Sequence, residues 1–193
     1  MNECLLNDKR KAPAFLLLML IVTHMPHGKA SNELDNRLWK IYKETGNEKW
    51  LNYLVCRNNT SALEEYFDLC QNSIVLPDKE VSRVSVEVSD AIRSVSRFEC
   101  LSPVIKLLGI ASDPKFKDKT EAGLGLSNSC WEAIINIAKT SFSSTLAILE
   151  TNKYCGSDLF NERIGDLINK IRTDNQYASD IALSFDAAYM LTQ

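Results

Sequence analysis

Histidine is almost missing from this 193-residue chain: there are two, His24 and His27, both within its first thirty residues. Glycine (7) and proline (5) are scarce, which argues against a turn-rich sandwich and for helices. Positive charge is not in excess: 22 Lys+Arg stand against 25 Asp+Glu, a formal net charge of -3. With no basic surplus to meet a phosphate backbone, nucleic acid is not expected as a partner. Catalytic signatures are missing too. There is no HExxH helix, no GxSxG elbow and no GxxxxGK[ST] phosphate loop, and Gly123-Leu124-Gly125 lacks the other glycine of a dinucleotide fingerprint.

What is present begins with an address. Lys9, Arg10 and Lys11 form a positive segment, Phe15 to Val22 an unbroken apolar run, and Gly28 and Ala30 fit positions -3 and -1 of a cleavage after Ala30. This is the pattern of a signal peptide over residues 1–30. The alternative, an uncleaved anchor, needs about 20 apolar residues to span a bilayer, and this run is well short. Residues 31–193 are therefore expected as a secreted domain with no stable membrane span. Such a domain has no histidine, which excludes a histidine-based zinc site, a Ser-His triad and a Cys-His dyad. No catalytic residue, metal ligand or cofactor is expected.

Secretion agrees with two overlapping glycosylation sequons, Asn58-Asn59-Thr60 and Asn59-Thr60-Ser61, with Asn58 and Asn59 as acceptors. Five cysteines follow the cleavage point: Cys56, Cys70, Cys100, Cys130 and Cys155. In an oxidising compartment four of them could form two disulfides, in a pairing that spacing does not choose. The alternative is that all five serve as small buried hydrophobes.

The apolar pattern after Ser31 is helical nearly throughout. Leu34, Leu38, Ile41 and Tyr42 mark a first helix, capped by Ser31 or Asn32 and stopped by Gly46. Trp50, Leu51, Leu54 and Val55 mark a second. Ser61-Ala62-Leu63-Glu64 reads as a capping box opening a third, with Leu63, Tyr66, Phe67 and Cys70 on one side. Val81 to Val95 fits a helix better than a strand. Another helix spans Leu101 to Ile110. The polar stretch Ser112 to Gly125, with Pro114, Gly123 and Gly125, is expected as a loop. Trp131, Ile134, Ile135 and Ala138 mark the next helix, and Leu146, Ile148 and Leu149 a shorter one. Leu159 to Ile171 and Ile181 to Tyr189 supply two more. The expected fold is all-α: eight or nine helices as antiparallel hairpins, stacked in a curved array of the HEAT or armadillo kind. The acids Glu64, Glu65, Asp68, Glu87 and Asp90 could in principle meet in a cleft, but solvated helix faces account for them. Trp39, Trp50 and Trp131 lie on apolar stripes and are expected as core anchors.

One stretch carries a family resemblance. Ile41-Tyr42-Lys43-Glu44-Thr45, Glu48-Lys49, Leu51, Leu54 and Cys56, then Leu63 and Tyr66-Phe67, resemble the helical C-terminal domain of zinc aminopeptidases related to aminopeptidase N and the endoplasmic reticulum aminopeptidases. Ile134 to Phe142 with Ser143-Ser144 resembles that domain's apolar helix and Phe-Ser-Thr turn, and Arg163 to Ile181 its late helix. The segment Leu76-Pro77-Asp78-Lys79-Glu80 stands where the family often has Ile-Arg-x-x-Asp. In that family zinc and the catalytic glutamate lie in an earlier domain, and the C-terminal domain closes over them as a curved helical stack. The resemblance implies a non-catalytic module that contacts a peptide or a protein. Two other readings stand beside it: a secreted helical carrier of a small apolar ligand, and a fragment of a longer membrane or secreted aminopeptidase. A carrier needs a sizeable enclosed apolar cavity; an open groove over a filled core counts against it.

Expressed through a secretory system, the chain is expected as a product beginning at Ser31. Intact mass checks this, with reductant and glycosidase reporting pairing and glycan; a product retaining residues 1–30 contradicts it.

Overall fold

A computed structural model describes residues 29–75, 86–117 and 121–190, with side chains described over 32–75, 87–116 and 125–175. The leader, both histidines and the 76–80 segment lie outside it, apart from the last two leader residues. Nine α-helices and one short 3-10 turn make up the described chain, with no strand among the described residues. The all-α expectation holds.

The first helix, α1 (Lys29–Thr45), begins before the expected caps Ser31 and Asn32, which fall inside its first turn. It ends as expected at Gly46. That residue adopts φ +64, a left-handed conformation that glycine takes without strain, and its N–H donates to Tyr42 O at 2.8 Å. Asn47 then caps α2 (Glu48–Cys56) by accepting from the Lys49 N–H at 3.1 Å. α3 (Thr60–Val75) opens one residue before the expected box. Asn59 is its cap, accepting from the Ala62 N–H at 3.0 Å, so the Ser61 capping box is corrected. Ala62, Leu63, Tyr66, Cys70 and Ser73 face inward along it.

α4 (Val86–Arg93) covers the described part of the next stretch. A 3-10 turn (Phe98–Cys100) leads into α5 (Leu101–Ala111), which buries residues on all sides, from Leu101 and Val104 to Leu108 and Ile110. The expected loop after Ser112 is largely helix instead. Asp113 accepts from the Lys115 N–H at 2.8 Å, and Pro114 opens the short α6 (Pro114–Lys117). An Asp cap with proline at the first helical position is a favoured start. Phe116 on α6 is fully buried where α6 meets α3, α5 and α7. The long α7 (Glu121–Thr140) begins four residues before Gly125, so both glycines lie inside a helix. α8 (Phe142–Asn152) and α9 (Asp158–Met190) complete the set. α9 runs 33 residues without interruption, about 50 Å at 1.5 Å per residue, where two helices were expected.

α1 packs on α2 and α2 on α3. α2 lies on α4 and α3 on α5; α7 then lies across both α4 and α5, and also meets α8 and α9. Leu126, Ser129, Cys130, Ala133, Ile134 and Ile137 of α7 are fully buried. Each fully buried large apolar side chain contributes about 1.5–3 kcal/mol of transfer free energy. Polar pins span the seams: Arg93 Nε to Glu132 at 2.9 Å and Asn136 Nδ2 to Arg93 O at 3.0 Å tie α4 to α7. Arg172 to Glu150 at 2.7 Å ties α9 to α8. These pins are exposed and set orientation more than stability.

One pin is different. Asp35 of α1 accepts from Arg57 Nε, at the end of α2, at 2.7 Å, with the two side chains 10% and 5% exposed. The Tyr53 ring lies 5.9 Å from the guanidinium. Removing one member of a buried pair strands the other charge. Asp35→Ala is therefore expected to lower stability by about 3 kcal/mol in urea unfolding. A Cβ at Gly125 would meet nothing within 4 Å. Gly125→Ala, in a helix interior, is expected to raise stability by about 0.5–1 kcal/mol in the same assay.

Candidate functional site

The end of α7 builds an open groove of about 230 Å³. α7 stops at Thr140, whose hydroxyl donates back to Ile137 O at 3.1 Å, and a single residue, Ser141, separates it from α8. The Ser141 N–H still bonds to Ile137 O at 3.0 Å, and Ser141 O accepts the Thr145 N–H at 2.9 Å, so the break is short. The apolar positions Ile135, Ala138 and Phe142 thereby continue one stripe across the break, at the three- and four-residue spacing of a helix face. Ile171 of α9 faces them.

The floor of the groove is sheltered and the rim is wet. Ala138 and Ile171 are buried, while Ile135 and Phe142 are half-buried and pack on the core. Exposed Lys139, Asp174 and Asn175 form the edge. Lys139 Nζ donates to Asn136 Oδ1 at 3.0 Å, and Asp174 is paired with Lys170 at 2.9 Å. The groove thus offers an apolar slot with one cationic and one anionic group beside it. Its size suits one or two side chains of a peptide, and is below the range of sites that enclose whole small molecules.

The residues singled out from sequence go elsewhere. All five cysteines are free thiols. Cys70, Cys100 and Cys130 are buried; Cys56 and Cys155 are exposed. Burial pushes the Cys70 thiol up to about 12, and pushes Cys130 well above the ordinary 9.0. The buried Tyr66 hydroxyl, 3.4 Å from Ser89 Oγ, is held well above its usual value for the same reason. Burial also raises Cys100, whose Sγ donates to Asn58 O at 3.6 Å, and Cys56, although that residue as a whole is exposed. Protonated thiols of this kind are poor nucleophiles.

Both sequon asparagines hold the α2–α3 turn. Asn58 takes a left-handed conformation, φ 56, and its Oδ1 accepts from the Ser96 N–H at 3.2 Å; Asn59 caps α3. Their Oδ1 atoms are engaged, while a glycan would attach at Nδ2. The acids disperse: Glu65 turns to Lys43 on α1, Glu87 accepts from Asn52 on α2 at 3.0 Å, and Asp90 sits 3.6 Å from Arg93 on its own helix. Glu64 and Asp68 are exposed on α3. Trp50 is in the core; Trp39 and Trp131 pack at its edge, each under a cation, Lys43 and Arg163. Of the groove, the sequence marked Ile135, Ala138 and Ile171 as apolar stripe, carried Phe142 only within the family resemblance, and gave no sign of the rim. Lys139, Asp174 and Asn175 become a set only once α9 lies beside α7.

No family model, curated protein or solved structure matches the chain. No group of three or more His, Cys, Asp or Glu is placed to hold a metal ion among the described residues. No helix of the described residues is long and apolar enough to cross a membrane.

The buried hydroxyl and thiols set an alkaline limit on the fold. They are neutral when folded, and the unfolded chain releases their protons first, so their contribution is complete below about pH 9 and fades toward about 12. Unfolding free energy is expected to fall steadily above pH 9. Under native conditions iodoacetamide is expected to label Cys155 fastest and Cys56 more slowly. Cys70 and Cys130 should stay unlabelled until urea unfolds the chain; fast native labelling of either contradicts the packing.

Proposed function

We propose that this chain is a secreted, non-catalytic helical module, akin to the C-terminal domain of zinc aminopeptidases, that binds a peptide or a protein segment in the groove between α7, α8 and α9. The observation that carries the reading is the open apolar slot with opposite charges on its rim. A segment with one large apolar side chain, flanked by a base toward Asp174 and an acid toward Lys139, complements it. Three further points support the proposal. The spacing of Tyr42, Leu51, Leu54, Cys56, Leu63 and Tyr66 follows that family's helical domain. Packing of sequence neighbours, α1 on α2 and α2 on α3, is the local element from which a curved helical array grows. A chain beginning at Ser31 has no imidazole for zinc or for proton relay. The groove is open and small, unlike the enclosed chamber that a carrier of apolar ligands needs.

Selection from displayed random dodecapeptides tests the assignment. Enriched peptides are expected to share an aromatic or leucine anchor with charged neighbours, and Phe142→Ala is expected to weaken them about tenfold. Peptides that bind Phe142→Ala equally well, or chelator-sensitive release of amino acids from aminoacyl reporters by the purified protein, contradict the proposal.

A further inference from the structure

A second feature lies on α1 and α3, far along the chain from the groove residues. Trp39 and Tyr42 stand one helical turn apart, with ring centroids separated by 5.5 Å and planes inclined by 33°. The ammonium of Lys43 lies 5.4 Å from the Trp39 centroid and 5.9 Å from that of Tyr42. From α3, Glu65 Oε2 accepts from the same ammonium at 2.8 Å, and Glu65 Oε1 accepts from the Tyr42 hydroxyl at 3.3 Å. Two π faces and one oriented carboxylate around a single nitrogen form the chemical environment that attracts an organic cation.

The present occupant is loosely held. Lys43 is on the surface, with its side chain 51% exposed, whereas Glu65 is 23% exposed and braced by Tyr42. Lysine is a flexible stem ending in a strongly hydrated charge, and exposed ion pairs are weak. The rings and the carboxylate are the fixed part; the ammonium is the exchangeable part. Tyr42 is 6% exposed and belongs to the core, which holds its ring in place.

We propose that Trp39, Tyr42 and Glu65 form a binding site for an organic ammonium ion, which the Lys43 side chain fills in the free protein. An incoming alkylammonium takes the position of Lys43 Nζ over both rings and donates to Glu65, while Lys43 swings into solvent.

The test uses the Lys43→Ala protein, in which the site is vacated by a change at an exposed position. n-Butylammonium, tetramethylammonium and sodium are titrated at constant ionic strength, and the Trp39 indole N–H resonance is followed, identified by its loss in Trp39→Phe. The Lys43→Ala protein is expected to show a saturable n-butylammonium shift at least fivefold tighter than the wild type, in which Lys43 competes. Adding Glu65→Gln is expected to weaken that shift at least threefold. n-Butylammonium is expected to bind more tightly than tetramethylammonium, which has no N–H to donate to Glu65; a preference for tetramethylammonium overturns the placement. A shift that sodium reproduces, a shift that does not saturate, or one indifferent to Glu65→Gln overturns the proposal.

Discussion

The burial of α7 on α4 and α5 is the contact on which the other helices depend. Small and large residues alternate along the buried face, Cys130 and Ala133 beside Ile134 and Ile137, with no exposure at any of them. Small side chains let the short α4 approach closely, and α4 buries Val88, Ala91 and Ile92. α4 and α5 in turn carry α2 and α3. α7 also meets α8 and α9, and α9 buries Phe160, Ile164, Leu167, Ile168 and Ile171. One helix therefore joins two groups of helices, and Phe160 of α9 adds a direct contact at Gly109 of α5.

The groove follows from that arrangement. α7 runs on past its buried seam, and its last turn exposes Ile135 and Lys139 on a face that α9 only partly covers. The one-residue break at Ser141 sets Phe142 at the same opening. Because Ala138 and Ile171 are shared between the core and the groove floor, the slot is as rigid as the packing beneath it. The ammonium site has a different origin. It depends on α1, packed on α2, bringing Tyr42 and Lys43 within reach of Glu65 on α3, and the buried Asp35–Arg57 pair contributes by fixing α1 to the end of α2.

Most of the helices could be read from periodicity, because an apolar stripe at three- and four-residue spacing is a direct record of a buried face. The errors cluster where local chemistry and tertiary packing disagree. Gly123 and Gly125 read as loop, since glycine disfavours helix; burial of Leu126 and Cys130 in the same helix outweighs that local preference. The polar residues between Ile171 and Ile181 read as a break, yet α9 continues through them as a helix. Asp113-Pro114 was a legible helix start that the surrounding polar residues concealed. At the α2–α3 turn, Asn58 and Asn59 each satisfied a modification motif and, independently, a backbone need: one for a left-handed turn, the other for a cap. Nothing in the residues told the two apart. The groove was half legible, its floor as apolar stripe, its rim not at all, because Lys139 and Asp174, 35 positions apart, are ordinary surface charges until their helices lie side by side.

Native-state hydrogen exchange across the chain tests the central role of α7 most directly. If α7 is the shared support, its amides from Leu126 to Ala138 exchange only through global unfolding, and those of α4 and α5 share the same free energy. Exchange of α7 at markedly lower free energy than α4 and α5, or two separately unfolding units divided along α7, would contradict the account.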